Sequence, residues 1–217
     1  HFLSDKNFIR KIVGAAGVKP GDRCLEIGPG RGALTEMLLE AGARVTAIEV
    51  DADLIAYLRE RFSPTGAFDL IERDALRVSY ADLSREAGGR FKVVSNLPYN
   101  ISGPLLARFI EERCAFDSLV LMLQREVALK VCGRPGTKDY GSLSVMSQTF
   151  FDCRVEFGVP RHLFKPVPKV DSSVVSMRRL DKPRVEVVDP VFFRVVVRAA
   201  FGMRRKTLLN ALSVLGI

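Results

Sequence analysis

Arg23-Cys24-Leu25-Glu26-Ile27-Gly28-Pro29-Gly30-Arg31-Gly32-Ala33 decides how the chain is read. A short apolar run, 23–27, breaks into a turn with three glycines, and a segment with apolar residues at helical spacing, 33–40, follows at once. Glycines at a strand-to-helix turn let backbone approach a ligand closely, and the helix start offers N–H groups that lack intrahelical partners. Working outward, the alternation repeats. Runs at 44–49, 69–73, 91–95 and 118–123 read as buried strands, with helices expected over 52–62 and 104–112. Such alternation argues for a parallel α/β sheet with helices on its faces. Gly42 suits the end of a helix and Pro104 a first turn. Upstream, Phe8, Ile9, Ile12 and Val13 make one face of a helix for which Ser4 is the expected cap.

Downstream, a helix near 126–131, a loop over 133–141 and an apolar stretch precede two more expected strands, 154–158 and 173–180. Between these lies 160–171 with Pro160, Pro166 and Pro168. The expected sheet therefore has seven strands. From Lys182 the texture changes: Asp189 suits a cap, Pro190 a first helical position, and a second, basic helix is expected after Gly202.

The 217 residues carry 33 Lys and Arg against 25 Asp and Glu, a net charge of +8, which suits a polyanionic partner. Arg198, Arg204, Arg205 and Lys206 crowd the C-terminal end and no acid follows Asp189, so a phosphate-contacting surface is favoured over a merely solvated helix. The expected division is a sheet domain over 1–181 and, over 182–217, the beginning of a small helical RNA-binding domain that extends past Ile217. No apolar run approaches the roughly 20 residues of a membrane helix, no secretory signal is read, and a cytoplasmic location is expected. Cys24, Cys114, Cys132 and Cys153 lack short paired spacing and read as buried free thiols; with two histidines and no ligand cluster, no metal is expected.

Two acids extend the glycine turn. Glu49 ends the second expected strand, where a carboxylate can accept both hydroxyls of a ribose; Asp74, beside Ala75, follows the third, placed for an adenine amine. With Gly28 and Gly30 they outline a nucleoside pocket at the carboxyl edge of the sheet. The turn alone leaves NAD and S-adenosylmethionine open, since Gly28, Gly30 and Ala33 also fit a dinucleotide fingerprint. Glu26 favours the second: a carboxylate there suits a sulfonium and an ammonium better than a pyrophosphate.

The fourth expected strand ends in Ser95-Asn96-Leu97-Pro98-Tyr99-Asn100. Asn-x-Pro-Tyr at this place resembles methyltransferases that act on planar exocyclic amines. An aryl amine is a poor nucleophile because its lone pair is delocalised into the ring. Acceptors for its two hydrogens, the Asn96 side-chain oxygen and the Leu97 carbonyl, can polarise and aim it. Pro98 restricts the backbone that carries that carbonyl. Tyr99 offers a flat face on which a base can stack, so Tyr99→Phe is expected to retain most activity.

With these blocks in order, the chain resembles the ribosomal RNA adenine dimethyltransferase family. Leu123-Gln124-Arg125-Glu126-Val127-Ala128, Tyr140-Gly141-Ser142-Leu143-Ser144-Val145, the segment 164–172 and the basic segment 201–206 match further family blocks. The resemblance implies a class I, Rossmann-like methyltransferase fold with the last strand antiparallel. It implies cofactor contacts at His1, Leu3, Gly28, Glu49, Asp74 and Asn96, with S-adenosylmethionine as cofactor. The implied partner is 16S rRNA in the small ribosomal subunit or its precursor, two adjacent adenosines near the 3′ end being dimethylated by a monomer. Within that picture Phe164 is expected to pack on the target adenine opposite Tyr99, and Arg204, Arg205 and Lys206 to contact RNA. The blocks after residue 120 favour small-subunit over large-subunit rRNA. Two other readings stay open: an NAD-dependent oxidoreductase, which leaves Asn96–Tyr99 unexplained, and a non-catalytic assembly factor with a vestigial pocket.

Overall fold

The computed structural model describes residues 2–3, 5–203 and 206–216; the expectations at His1, Ser4, Arg204 and Arg205 lie outside them. After a two-residue strand β1 (Phe2–Leu3) comes helix α1 (Lys6–Ala16). Asp5 caps it, its carboxylate accepting from the Asn7 and Phe8 N–H groups at 2.8 and 3.1 Å. The cap therefore falls one residue after the expected position, because Asp5 is the acceptor that reaches the second and third helical N–H groups.

The alternation then unfolds with one helix, α4, that was not expected: β2 (Arg23–Ile27), α2 (Ala33–Glu40), β3 (Arg44–Glu49), α3 (Ala52–Phe62), β4 (Phe68–Glu72), α4 (Tyr80–Glu86), β5 (Phe91–Asn96), α5 (Ser102–Glu111) and β6 (Phe116–Gln124). Next come α6 (Arg125–Val131), α7 (Ser142–Phe150), β7 (Phe151–Val159), a two-residue β8 (Phe164–Lys165) and β9 (Ser172–Arg179). The seven-stranded sheet has the order β4-β3-β2-β5-β6-β9-β7. Strands β2 to β6 pair in parallel; β9 enters between β6 and β7 and runs antiparallel to both. β1 and β8 pair with each other, Leu3 opposite Phe164.

Strand periodicity sorts the core into two layers. Along β6, Leu119, Leu121 and Leu123 join one cluster, which also holds Tyr80, Phe109 and Phe116. Val120 and Met122 face the other, with Ile9, Ile12, Leu38 and Leu58 of α1 to α3. Adjacent residues of a strand point to opposite faces, so a strand covered by helices on both sides must be apolar throughout. The Tyr80, Phe109 and Phe116 rings meet at centroid distances of 5.3 to 5.5 Å, a tilted and edge-on cluster.

Toward the C-terminus, α8 (Pro190–Gly202) starts behind an Asp189 cap, as expected. The helix after it, α9 (Leu208–Leu212), is not basic: Thr207 caps it and its sequence is Leu-Leu-Asn-Ala-Leu. Lys206 lies in the connection that precedes it, exposed. α8 lies on the sheet domain, its Phe193 ring 6.3 Å from that of Phe150 and its Arg194 paired with Glu111. The cysteines divide differently from expectation: Cys24 is buried, Cys132 and Cys153 are partly buried, and Cys114 is exposed in the turn after α5.

Gly32, the residue before α2, has φ +75°, and a Cβ there would stand 2.3 Å from the Phe62 ring. Gly32→Ala should therefore cost about 1–3 kcal/mol from left-handed strain alone, with the clash added. Chemical denaturation of parent and variant measures the difference; equal midpoints would show that the turn tolerates a side chain.

Candidate active site

Strand order reverses at β2 and β5: β3 and β4 follow on one side of β2, while β6 follows on the other side of β5. At such a point the helices leave toward opposite faces and a crevice opens beyond the carboxyl ends of the strands. A cavity of about 670 Å³ lies there. Its walls include Glu26 of β2, Gly28, Gly30 and Arg31 from the first turn, Leu34 of α2, Glu49 from the end of β3, and Asn96 to Asn100 from the end of β5 and the turn after it. Ile9 and Ile12 of α1 and Leu54 of α3 add apolar wall.

The two turns touch. Gly28 has φ +63°, and a Cβ on it would lie 3.2 Å from Pro98 Cγ, tighter than an ordinary contact. Glycine is required here for both reasons. The turn is tied to β3 by the Gly28 N–H, which donates to the Ile48 carbonyl at 2.9 Å. The second turn is tied to β6 by the Leu97 N–H, which donates to the Met122 carbonyl at 3.2 Å.

Each acid has a distinct setting. Glu49 is 8% exposed, and its Oε1 accepts from the Val50 and Asp51 N–H groups at 2.8 and 3.1 Å. Its Oε2 has no hydrogen-bond partner among the described residues. Glu26 is 2% exposed and accepts a hydrogen bond from the Thr35 hydroxyl at 2.6 Å. Burial pushes its carboxyl up to about 8; the Thr35 bond opposes this and the neighbouring charge of Glu49 adds to it. The Asn96 side-chain amide also lacks a partner among the described residues, half-buried on the cavity wall.

Other expected site residues lie elsewhere. Asp74 and Ala75 do not line the cavity. Asp74 follows β4, where the Arg73 N–H donates to the Glu49 carbonyl at 3.1 Å, and it caps a short turn by accepting from the Leu76 N–H at 2.9 Å. Phe164 is fully buried in the core layer of α1 to α3 and does not form a wall of the cavity. Burial in that apolar layer takes the ring that was expected to face a base. Lys206 is exposed in the connection to α9, away from the residues that line the cavity, and Leu3 lies in the strand beside Phe164.

Over residues 1–217 the chain matches the family described as "Ribosomal RNA adenine dimethylase". The chain belongs to this family. A "Ribosomal RNA small subunit methyltransferase A" of Geobacter metallireducens is 47% identical over 100% of this chain and 79% of its own length. A dimethyladenosine transferase from Plasmodium falciparum, 30% identical, superposes with a TM-score of 0.84 over 98% of this chain and 74% of its own. The 23S rRNA methyltransferase ErmE, 29% identical, superposes with a TM-score of 0.81 over 99% of this chain and 84% of its own.

This rRNA adenine dimethylase also uses side chains that sequence reading did not single out. The turn after Asp74 hangs on two of them: the Tyr80 hydroxyl donates to the Ala75 carbonyl at 2.9 Å, and the Arg108 guanidinium donates to the Leu76 and Val78 carbonyls, each at 2.6 Å. Arg108 is itself paired with Glu112 one turn along α5. Tyr99 is met through its hydroxyl by Ser172, at 2.6 Å. Partners 30 or 73 residues apart leave no periodic or local signal.

Glu26 makes the fold sensitive to pH in a defined direction. Its carboxyl stands near 8 in the folded chain against 4.5 for an ordinary glutamate, so between these values the folded chain holds a proton that the unfolded chain has released. The contribution of Glu26 to stability therefore falls as pH rises through that window. Glu26→Gln, which keeps the shape and cannot ionise, should show a shallower fall in thermal midpoint between about pH 5 and pH 8 and be the more stable protein at the upper end. Parallel curves for parent and variant would contradict this.

Proposed function

We propose that this chain transfers methyl groups from S-adenosylmethionine to the N6 amine of adenosine in rRNA, dimethylating two adjacent adenosines near the 3′ end of 16S rRNA during small-subunit biogenesis. One observation carries the reading: Glu26, Gly28, Glu49, Asn96 and Tyr99 line a single cavity at the sheet's switch point. The Geobacter metallireducens relative is named for the small subunit and is 47% identical, whereas the 23S enzyme is 29% identical. That contrast supports small-subunit rRNA as the substrate. The protein acts as a cytoplasmic monomer on the subunit or its precursor.

The donor set suits such a cofactor. When bound, S-adenosylmethionine supplies an electrophilic methyl group on a sulfonium. Glu49 offers its unengaged Oε2 to the ribose hydroxyls, and Asp74 with Ala75 marks the side on which the adenine is read. Gly28 and Gly30 let backbone come close, and Glu26, once ionised, balances the cationic end. His1 and Leu3 are the further cofactor contacts that the family resemblance implies. Asn96 and the Leu97 carbonyl accept the two amine hydrogens, which turns the nitrogen lone pair out of conjugation as positive charge develops there. Pro98 holds that carbonyl, and the Tyr99 face carries the base. No strong base is needed, because the amine proton becomes acidic only as the new bond forms. Residues 182–217 contribute a helical RNA-binding part, and Arg204, Arg205 and Lys206 meet rRNA phosphates.

Transfer of tritiated methyl groups to under-methylated small subunits, followed by nucleoside analysis, tests the whole reading; label in any nucleoside other than N6-methylated adenosine rejects it. Asn96→Ala should lower the single-turnover rate by about 10²–10³ at saturating RNA and cofactor, as loss of a preorganised polar group does elsewhere. A parental rate would remove Asn96 from the chemistry. Glu49→Ala should raise the cofactor Kd by about one to two powers of ten, in line with a lost charge-assisted hydrogen bond. Calorimetry reads that value, and an unchanged Kd would reject the ribose assignment.

A further inference from the structure

The Tyr99 ring is fixed at both ends. At its backbone end, the Tyr99 carbonyl accepts from the Ser102 hydroxyl at 3.1 Å, and the Pro98 carbonyl accepts from the Ile101 N–H at 3.2 Å. At its phenol end, the hydroxyl lies 2.6 Å from Ser172 Oγ. Ser172 is the first residue of β9, fully buried, with Gln124 of β6 on one side and Val159 of β7 on the other. Asp171 before it accepts from the Arg125 N–H through its carbonyl and from the Arg161 N–H through its carboxylate, both at 3.0 Å. Ser172 is thus an immobile anchor placed against a cavity-lining ring.

We propose that Ser172 is a positioning residue for the target base: by holding the Tyr99 hydroxyl it sets the plane on which the adenine stacks. This deepens the reading given above and rests on it. A tyrosine side chain turns about two torsions, and hinging at the backbone alone leaves the ring free to tilt. A second tether at the hydroxyl removes that freedom before the base arrives, so the ordering is done in folding and not in binding. The consequence reverses the expectation from the ring alone. Tyr99→Phe keeps the stacking face but loses the tether, and it is not a silent change.

The test measures single-turnover methyl transfer to under-methylated small subunits by Ser172→Ala, Tyr99→Phe and the double variant, at saturating cofactor and well below each thermal midpoint. Each single variant should slow the step by about two- to tenfold, the range of one hydrogen bond, and the double should be no slower than the slower single. Cofactor Kd should stay at the parental value in all three. A subunit RNA with 2-aminopurine at the target position adds a readout that a purely structural role would not move: stacking quenches its fluorescence in the parent, and both single variants should leave it brighter. A parental rate for Tyr99→Phe, or fully additive losses in the double, would overturn the proposal. Tyr99→Ala separates the two levels of argument. If it is slow while Tyr99→Phe is parental, the base platform stands and Ser172 has no part in it; if Tyr99→Ala also runs at the parental rate, the base site itself is misassigned.

Discussion

The site depends on the contact between Gly28 and Pro98. Two loops leave neighbouring parallel strands, and the missing side chain of Gly28 lets them close to within van der Waals distance. That approach joins the turn that faces the acids to the turn that carries Asn96 and Tyr99, so that one cavity serves both. The sheet supplies the rest. β2 and β5 are adjacent where the strand order reverses, α2 and α5 diverge from them, and the space between becomes the crevice. A side chain at position 28 would press on the Pro98 ring and strain the left-handed turn without touching any polar group.

Charge is sorted by position. The chain has a net charge of +8, yet the cavity gathers two buried carboxylates, Glu26 and Glu49, neither of which forms an ion pair among the described residues. Among the described residues, Arg31 is the one basic side chain on the cavity wall. A pocket that holds Glu49 and a second glutamate able to ionise, in a chain of net positive charge, suits two partners of opposite sign, a cationic small molecule inside and a polyanion outside. The buried carboxyl of Glu26 is the strained element of this design, since an uncompensated charge there is disfavoured until a cation arrives.

Much of this was legible in the residues. Helices α2 and α3 and strands β2 and β3 fall at the expected bounds, because a positive-φ glycine or an aspartate cap marks where each change of period begins. The turns at 28–32 and 96–99 were legible because glycine and proline act through the backbone itself. Helix α4 was not, being seven residues held by one buried tyrosine, nor were β1 and β8, two residues each and too short for any period. Phe164 shows the limit most plainly. Aromatic and flanked by prolines, it looks like a pocket wall, but whether a ring faces a cavity or the core is settled by its tertiary neighbours. The links from Arg108 to the 76–78 turn and from Ser172 to Tyr99 belong to the same class, since each joins residues that only the folded sheet brings together.

The insertion of β9 between β6 and β7 has a consequence for how the protein is made. The cavity's first wall is complete once Glu26 to Gly32 have been synthesised, and its second once Tyr99 has, but the anchor for Tyr99 arrives with Ser172, in the strand that completes the sheet. A nascent chain that has extended only through β7 has β6 as an open sheet edge and lacks the Ser172 hydroxyl that meets Tyr99. Closing that edge and bringing Ser172 to the Tyr99 hydroxyl are then one event, so the covering of an open strand and the completion of the base platform are coupled in synthesis.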